Sequence, residues 1–139
     1  MLTVATLTRG LKKGLSITWE LSKVIVPVYF IITIFKYTPV MEWIARIMEP
    51  VMHMVGLPGE ASLPLVLGMF LNIYAAIGAI LPLGMNTKEI TIIAAMLLMA
   101  HSLPMEAAIS KKSGAKVASL VLVRIVMAFV IGAGFNIIL

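Results

Sequence analysis

The sequence predicts an all-α polytopic membrane protein of four to five transmembrane or re-entrant helices, some of them broken at proline. Three observations carry this. Of the 139 residues, 61% are hydrophobic and 12% charged, with a mean hydropathy of +1.09. An ordinary soluble domain is ~45–50% apolar. Too little polar surface remains to cover a globule, so lipid must be the solvent. Apolar stretches near the length of a bilayer crossing alternate with short turns and basic loops. Ionisable residues and prolines fall inside those stretches, where charge is costly and a broken helix commonly builds a solute or ion site.

The same totals narrow the function. There are no cysteines, so disulfides and thiolate metal sites are excluded. Asp is absent, so every side-chain carboxylate is a Glu. The net charge of +5 fits loop lysines near anionic headgroups better than nucleic-acid binding. The whole chain, 1–139, reads as a single membrane domain with the lipid bilayer as its partner and no cofactor.

Residues 1–15 place Leu7, Leu11 and Leu15 four apart, with Arg9, Lys12 and Lys13 off that line. This fits a short interfacial helix or a frayed basic terminus. Residues 16–37 form the first span. Its apolar run, Val24 to Phe35, is too short alone, so the span takes in Trp19, Glu20 and Lys23. Glu20 and Lys23 can pair, and Lys23 can snorkel. Lys36-Tyr37 follows the run in place of a small-residue cleavage site, so 24–35 is expected to stay in the mature protein.

Residues 39–56 differ in kind. Glu42, Arg46, Glu49 and His53 fall on one narrow helical face, with apolar residues around the rest. Either a helix lying in the interface or a re-entrant arm fits this pattern, and a solvated face is favoured over a path lining. Leu57-Pro58-Gly59 is a turn. Residues 63–83 read as a second span, with Gly68, Asn72, Ala76 and Ala79 at helical spacing. Such small residues let helices approach closely, and Asn72 is either glue between helices or a solute contact.

Pro82 and Gly84 end that stretch. Asn86 or Thr87 can cap the next helix, with Glu89 in its first turn. Residues 88–110 form a broken span, expected to break at Pro104, which gathers His101, Ser102 and Glu106 within one short reach. The basic loop 111–116 leads to the last span, 117–139. Arg124 lies about two turns inside it and either snorkels or pairs. Glu106 is its most plausible carboxylate, because so short a loop makes the two helices antiparallel neighbours.

Topology rests on 39–56. If that helix lies flat, basic residues divide four against five with no bias, which permits both orientations and an antiparallel pair. If it crosses, the N-terminal side holds Arg9, Lys12, Lys13, Lys111, Lys112 and Lys116 against Lys36 and Lys88, and the orientation is fixed with the N-terminus in the cytoplasm. Four or five short helices enclose little, and no internal repeat is evident. A homodimer, parallel or antiparallel, is the simplest way to complete a pathway.

Gly68 with Leu71-Asn72, then Pro82-Leu83-Gly84, then His101-Ser102-Leu103-Pro104-Met105-Glu106 and the basic turn Lys112-Ser113-Gly114 together resemble the Gate, or nucleoside-recognition, domain. That domain recurs in ferrous-iron transporters, in a pair of spore-maturation membrane proteins, in concentrative nucleoside transporters and in small stand-alone proteins. The resemblance covers roughly the second half of the chain. It implies a bacterial inner-membrane, transport-related protein without implying a nucleoside substrate. The chain lacks the membrane cysteines of iron-handling relatives, and it is too short for two Gate units.

The expected function is therefore a small membrane transporter. Asn72, His101, Ser102, Glu106 and Arg124 would contact a solute or ion, and Pro82 and Pro104 would be hinges. The alternative is a non-transporting partner subunit, in which the same polar residues serve as helix glue. An enzyme is not expected. His101 and Glu106 lack the third ligand that a zinc site needs, and no nucleophile–base spacing stands out.

Overall fold

The computed structural model describes residues 4–139, so the first three residues of the basic N-terminal segment lie outside it. Helix α1 (Val4–Lys36) runs without interruption through the stretch read above as an interfacial helix plus a span. Its polar residues are absorbed locally. The hydroxyls of Thr8, Thr18, Ser22 and Thr33 donate to the carbonyl one turn back. Lys23 pairs with Glu20 at 2.8 Å.

Thr38 precedes a proline at the first helical position, which starts α2 (Pro39–His53). This helix bridges the two core clusters. Met41 near its start packs with Ile32, Ala79 and Leu83, whereas Met52 and Val55 at its far end join the cluster of Ile92, Ile93 and Met96. Glu42, Arg46, Glu49 and His53 are all exposed, as a solvated face requires. The Gly59 N–H donates to the Glu49 carboxylate at 3.0 Å, which ties α2 to the 3-10 turn Gly59–Ala61.

The stretch 63–83, read above as a span, is a hairpin. Helix α3 (Ser62–Phe70) and α4 (Ile73–Leu83) fold back on each other around Leu71 and Asn72. A Cβ at Gly68 would sit 3.0 Å from the Ala76 Cβ, and Leu63 and Leu67 pack on the cluster holding Ala79 and Leu83. In one straight helix, positions 68 and 76 would be ~12 Å apart. The arms, nine and eleven residues long, reach ~13–17 Å, about half of a ~30 Å hydrocarbon core. The chain therefore turns inside the bundle and returns to the side it came from, and neither arm is long enough to cross a bilayer alone. Small residues made this stretch resemble a packed span. The same small residues close the hairpin.

Helix α5 (Thr87–Met99) starts with a full capping box between Asn86 and Glu89. It breaks over Ala100–Ser102 and resumes as α6 (Leu103–Lys112). Helix α7 (Val117–Ile138) returns antiparallel. Two long lysines mark one face of the assembly: Lys36 Nζ donates to the Pro82 carbonyl and Lys88 Nζ to that of Asn136. The ends of α1, α4 and α7, the start of α5, and α2 thus share one side, and the basic loop 111–116 lies on the other. Among the described residues, three helical stretches are long and apolar enough to cross a membrane: α1, α5 with α6, and α7. With the hairpin they make four transmembrane or re-entrant elements. The core centres on α5, whose Ile92, Ile93, Met96 and Leu97 are fully buried.

Candidate functional site

The hairpin tip and the break between α5 and α6 meet each other. Asn72, extended in its backbone, accepts the Ala75 N–H on its side-chain oxygen at 3.0 Å and so caps α4. This is a role neither as mid-span glue nor, in itself, as a solute contact. Opposite it, Ser102 takes a left-handed backbone (φ 49°), the only residue other than glycine to do so among the described residues. Such a conformation costs ~1–2 kcal/mol for an L-residue. Two bonds to the hairpin offset it: the Ser102 N–H donates to the Gly68 carbonyl at 3.0 Å and its hydroxyl to that of Leu71 at 3.4 Å.

These contacts need close approach. A Cβ on Gly68 would lie 2.6 Å from a methyl of Leu97. Glycine therefore lets the tip reach the break.

On the other side of the break stands Arg124. Its Nε donates to the Met99 carbonyl at 2.7 Å, a group the ended helix leaves without an intrahelical partner. Its terminal nitrogen pairs with Glu106 on α6, and both side chains are about a quarter exposed (27% and 29%). One guanidinium from α7 thus holds the two halves of the broken span, using donors that point along different edges of its plane. The pairing expected from the short loop is present. His101 turns back on its own helix, with Nδ1 3.0 Å from the Leu97 carbonyl.

The break itself lies earlier than expected. Pro104 sits in the first turn of α6, where a missing N–H costs nothing, so it starts the second half rather than breaking the first. Pro82 is no hinge between helical halves either. It lies one residue before the end of α4, which stops at Gly84 in the left-handed conformation (φ 69°). The structure brings Asn72, Ser102, His101, Glu106 and Arg124 to one level and leaves Pro82 at the membrane face. Sequence reasoning missed the carbonyls of Gly68, Leu71 and Met99, which no side-chain pattern announces. An Asn three residues before Ala75, in the middle of a small-residue stretch, was the one available signal of the hairpin turn.

Four half-helix ends thus converge inside the bundle: the C-termini of α3 and α5 and the N-termini of α4 and α6. Interrupted backbone is tolerated at that level only where protein or a polar cavity satisfies it. The model of the family described as nucleoside recognition, named Gate, matches residues 18–129. The chain belongs to the Gate family. Its Gate region begins inside α1 and ends within α7, so it takes in the hairpin, the break between α5 and α6, and Arg124.

Among relatives, the membrane protein YvoD of Bacillus subtilis is 44% identical over 129 residues, covering 93% of this chain and 41% of that protein. The inner membrane protein YjiG of Escherichia coli K12 is 36% identical over 70 residues, covering 50% of this chain and 45% of that protein. The Gate chain thus spans less than half the length of these curated relatives. No solved structure matches it.

Proposed function

We propose that this chain is one half of a transport pathway in the bacterial inner membrane, with the solute or ion held where the hairpin tip meets the broken span. The observation that supports it is the meeting of two interrupted helices at mid-depth, joined through Ser102 to Gly68 and Leu71. Transporters place substrates and coupling ions at such half-helix ends, where N-termini favour anionic groups and unwound carbonyls favour cations. Glu106 and His101 are the groups that could change charge during a cycle, and Arg124 would hold the break in shape as they do. The other half of the pathway comes from a second unit, because one hairpin and one broken span wall only one side of a passage. Membership of the family and the name of YjiG support the inner-membrane location.

The absence of cysteine makes the test clean. In native membranes, Ser102→Cys is expected to react with a charged, water-soluble methanethiosulfonate, because a polar passage admits water. Leu98→Cys, on a side chain 69% exposed in the apolar part of α5, is expected to stay unreactive in lipid. Equal protection of both positions would remove the passage. Protection of Ser102→Cys by an added solute would begin to name the substrate.

A further inference from the structure

We infer that the cleft between Glu42 and Arg46 on α2 binds the zwitterionic headgroup of a phospholipid, that of phosphatidylethanolamine.

The cleft is built from one helix. Pro39, Glu42, Trp43 and Arg46 line a cavity of about 180 Å3, and all four are exposed. Drug-sized ligands occupy sites of ~300–1,000 Å3, so a smaller group is what fits here. None of the four residues belongs to the junction of hairpin and broken span. The chemistry comes from an ion pair that is not made. Glu42 and Arg46 stand four residues apart with the acid first, the favoured order for pairing along a helix, and at this spacing Cβ atoms are ~5–6 Å from each other. Yet the ion pairs among the described residues are Lys23–Glu20 and Arg124–Glu106. The other carboxylate of this helix is already engaged, since Glu49 accepts the Gly59 N–H. Arg46 is the only Lys or Arg of α2. A carboxylate and a guanidinium that flank one cleft without closing on each other present both charges to whatever enters it.

The ligand must therefore carry both signs a short distance apart. In an ethanolamine headgroup a two-carbon link joins phosphate to ammonium. The guanidinium fork suits the phosphate oxygens, and the ammonium can donate to the Glu42 carboxylate. The Trp43 ring, between the two in sequence, offers its face to the same cation. A glycerol headgroup has no cation and would leave Glu42 facing a phosphate. A choline headgroup has the cation but no N–H to donate.

Position selects a lipid over a zwitterion free in water. Helix α2 starts at Pro39, just after α1 ends at Lys36, on the face that Lys36 and Lys88 mark. Tyr37 and Trp43 are both exposed there, as aromatic side chains at headgroup level are. Val40 and Ile47, one turn before and after Trp43, are exposed too, and give an acyl chain an apolar line beside the cleft.

The chain has two tryptophans, so Trp19→Phe leaves Trp43 as the sole indole. This chain is reconstituted in phosphatidylcholine vesicles carrying the same fraction of either phosphatidylethanolamine or phosphatidylglycerol, brominated on the acyl chains so that a lipid beside Trp43 quenches its fluorescence. The ethanolamine lipid is expected to quench more, with a relative affinity about fivefold above that of the glycerol lipid. Glu42→Gln should reverse the order, because Arg46 alone favours the anionic lipid, and Arg46→Gln should lower quenching by both. His53→Gln, two turns beyond Arg46 on the same helix, should leave the preference intact. Equal quenching by the two lipids would overturn the inference, as would a preference that survives Glu42→Gln. Relief of the quenching by soluble phosphoethanolamine would overturn the lipid as the source of the headgroup.

Discussion

The hairpin α3–α4 and the broken span α5–α6 interrupt their helices at the same depth by opposite means. In the hairpin the chain reverses. No charge is involved: Asn72 caps one arm, and Gly68 lets the arms close. In the broken span the chain continues in its original direction. There a strained serine, a proline-led restart and an arginine from a third helix hold the two halves. Packing settles the first, and electrostatics and hydrogen bonds settle the second. In lipid this division has a physical basis. Small-residue packing stays tight without charge, whereas a bare helix end needs a donor or acceptor brought to it.

The sharpest way to break the comparison is at Arg124. Arg124→Leu strips the Met99 carbonyl of its donor and leaves Glu106 unpaired. A stability loss of ~3 kcal/mol is expected, read from thermal unfolding in detergent, since removing one partner of a buried pair costs ~3–5 and this pair is partly exposed. Glu106→Gln in the same background should recover part of the loss, because the stranded charge goes with it. No recovery would mean that the ion pair is incidental.

Gly68→Val tests the packing side. Its side chain would enter the space held by Leu97 and Ala76, and overpacking of this kind costs ~1–3 kcal/mol. The loss should track with weakened engagement of the hairpin tip, seen as faster cysteine labelling at Ser102→Cys. Stability unchanged at this position would argue against closed arms.

Asn72→Ala removes a cap and should cost ~1 kcal/mol, with Asn72→Asp close to wild type, both read by the same melt. If alanine and aspartate behave alike, Asn72 acts through something other than its cap. The smallest effect is expected for Lys23→Gln. Its pair with Glu20 is more than half exposed, so a change of no more than ~0.5 kcal/mol is anticipated.

Much of this was legible beforehand, and the exceptions share a cause. Composition alone gave the solvent, and the short basic loop gave the antiparallel neighbours that pair Glu106 with Arg124. The amphipathic spacing of Glu42, Arg46, Glu49 and His53 pointed to a helix with one polar face, and those four side chains are exposed. What stayed hidden was where chains bend inside lipid. A proline is visible in a sequence, so Pro104 drew the break toward itself. The true break at Ser102 is fixed by carbonyls of a distant hairpin. The hairpin escaped notice because small residues spaced along a helix look the same whether they face another helix or their own returning arm.

Helix α1 carries a last consequence. At 33 residues it measures ~50 Å, some 20 Å more than the oily slab it crosses. The excess is the basic first third, where Arg9, Lys12 and Lys13 precede the apolar run. Gly78 seats α4 directly on it, close to the backbone of Ile25, and Lys36 bolts the upper ends together. Two contacts at different heights thus tie the rod to the returning arm of the hairpin, so neither can be displaced without the other.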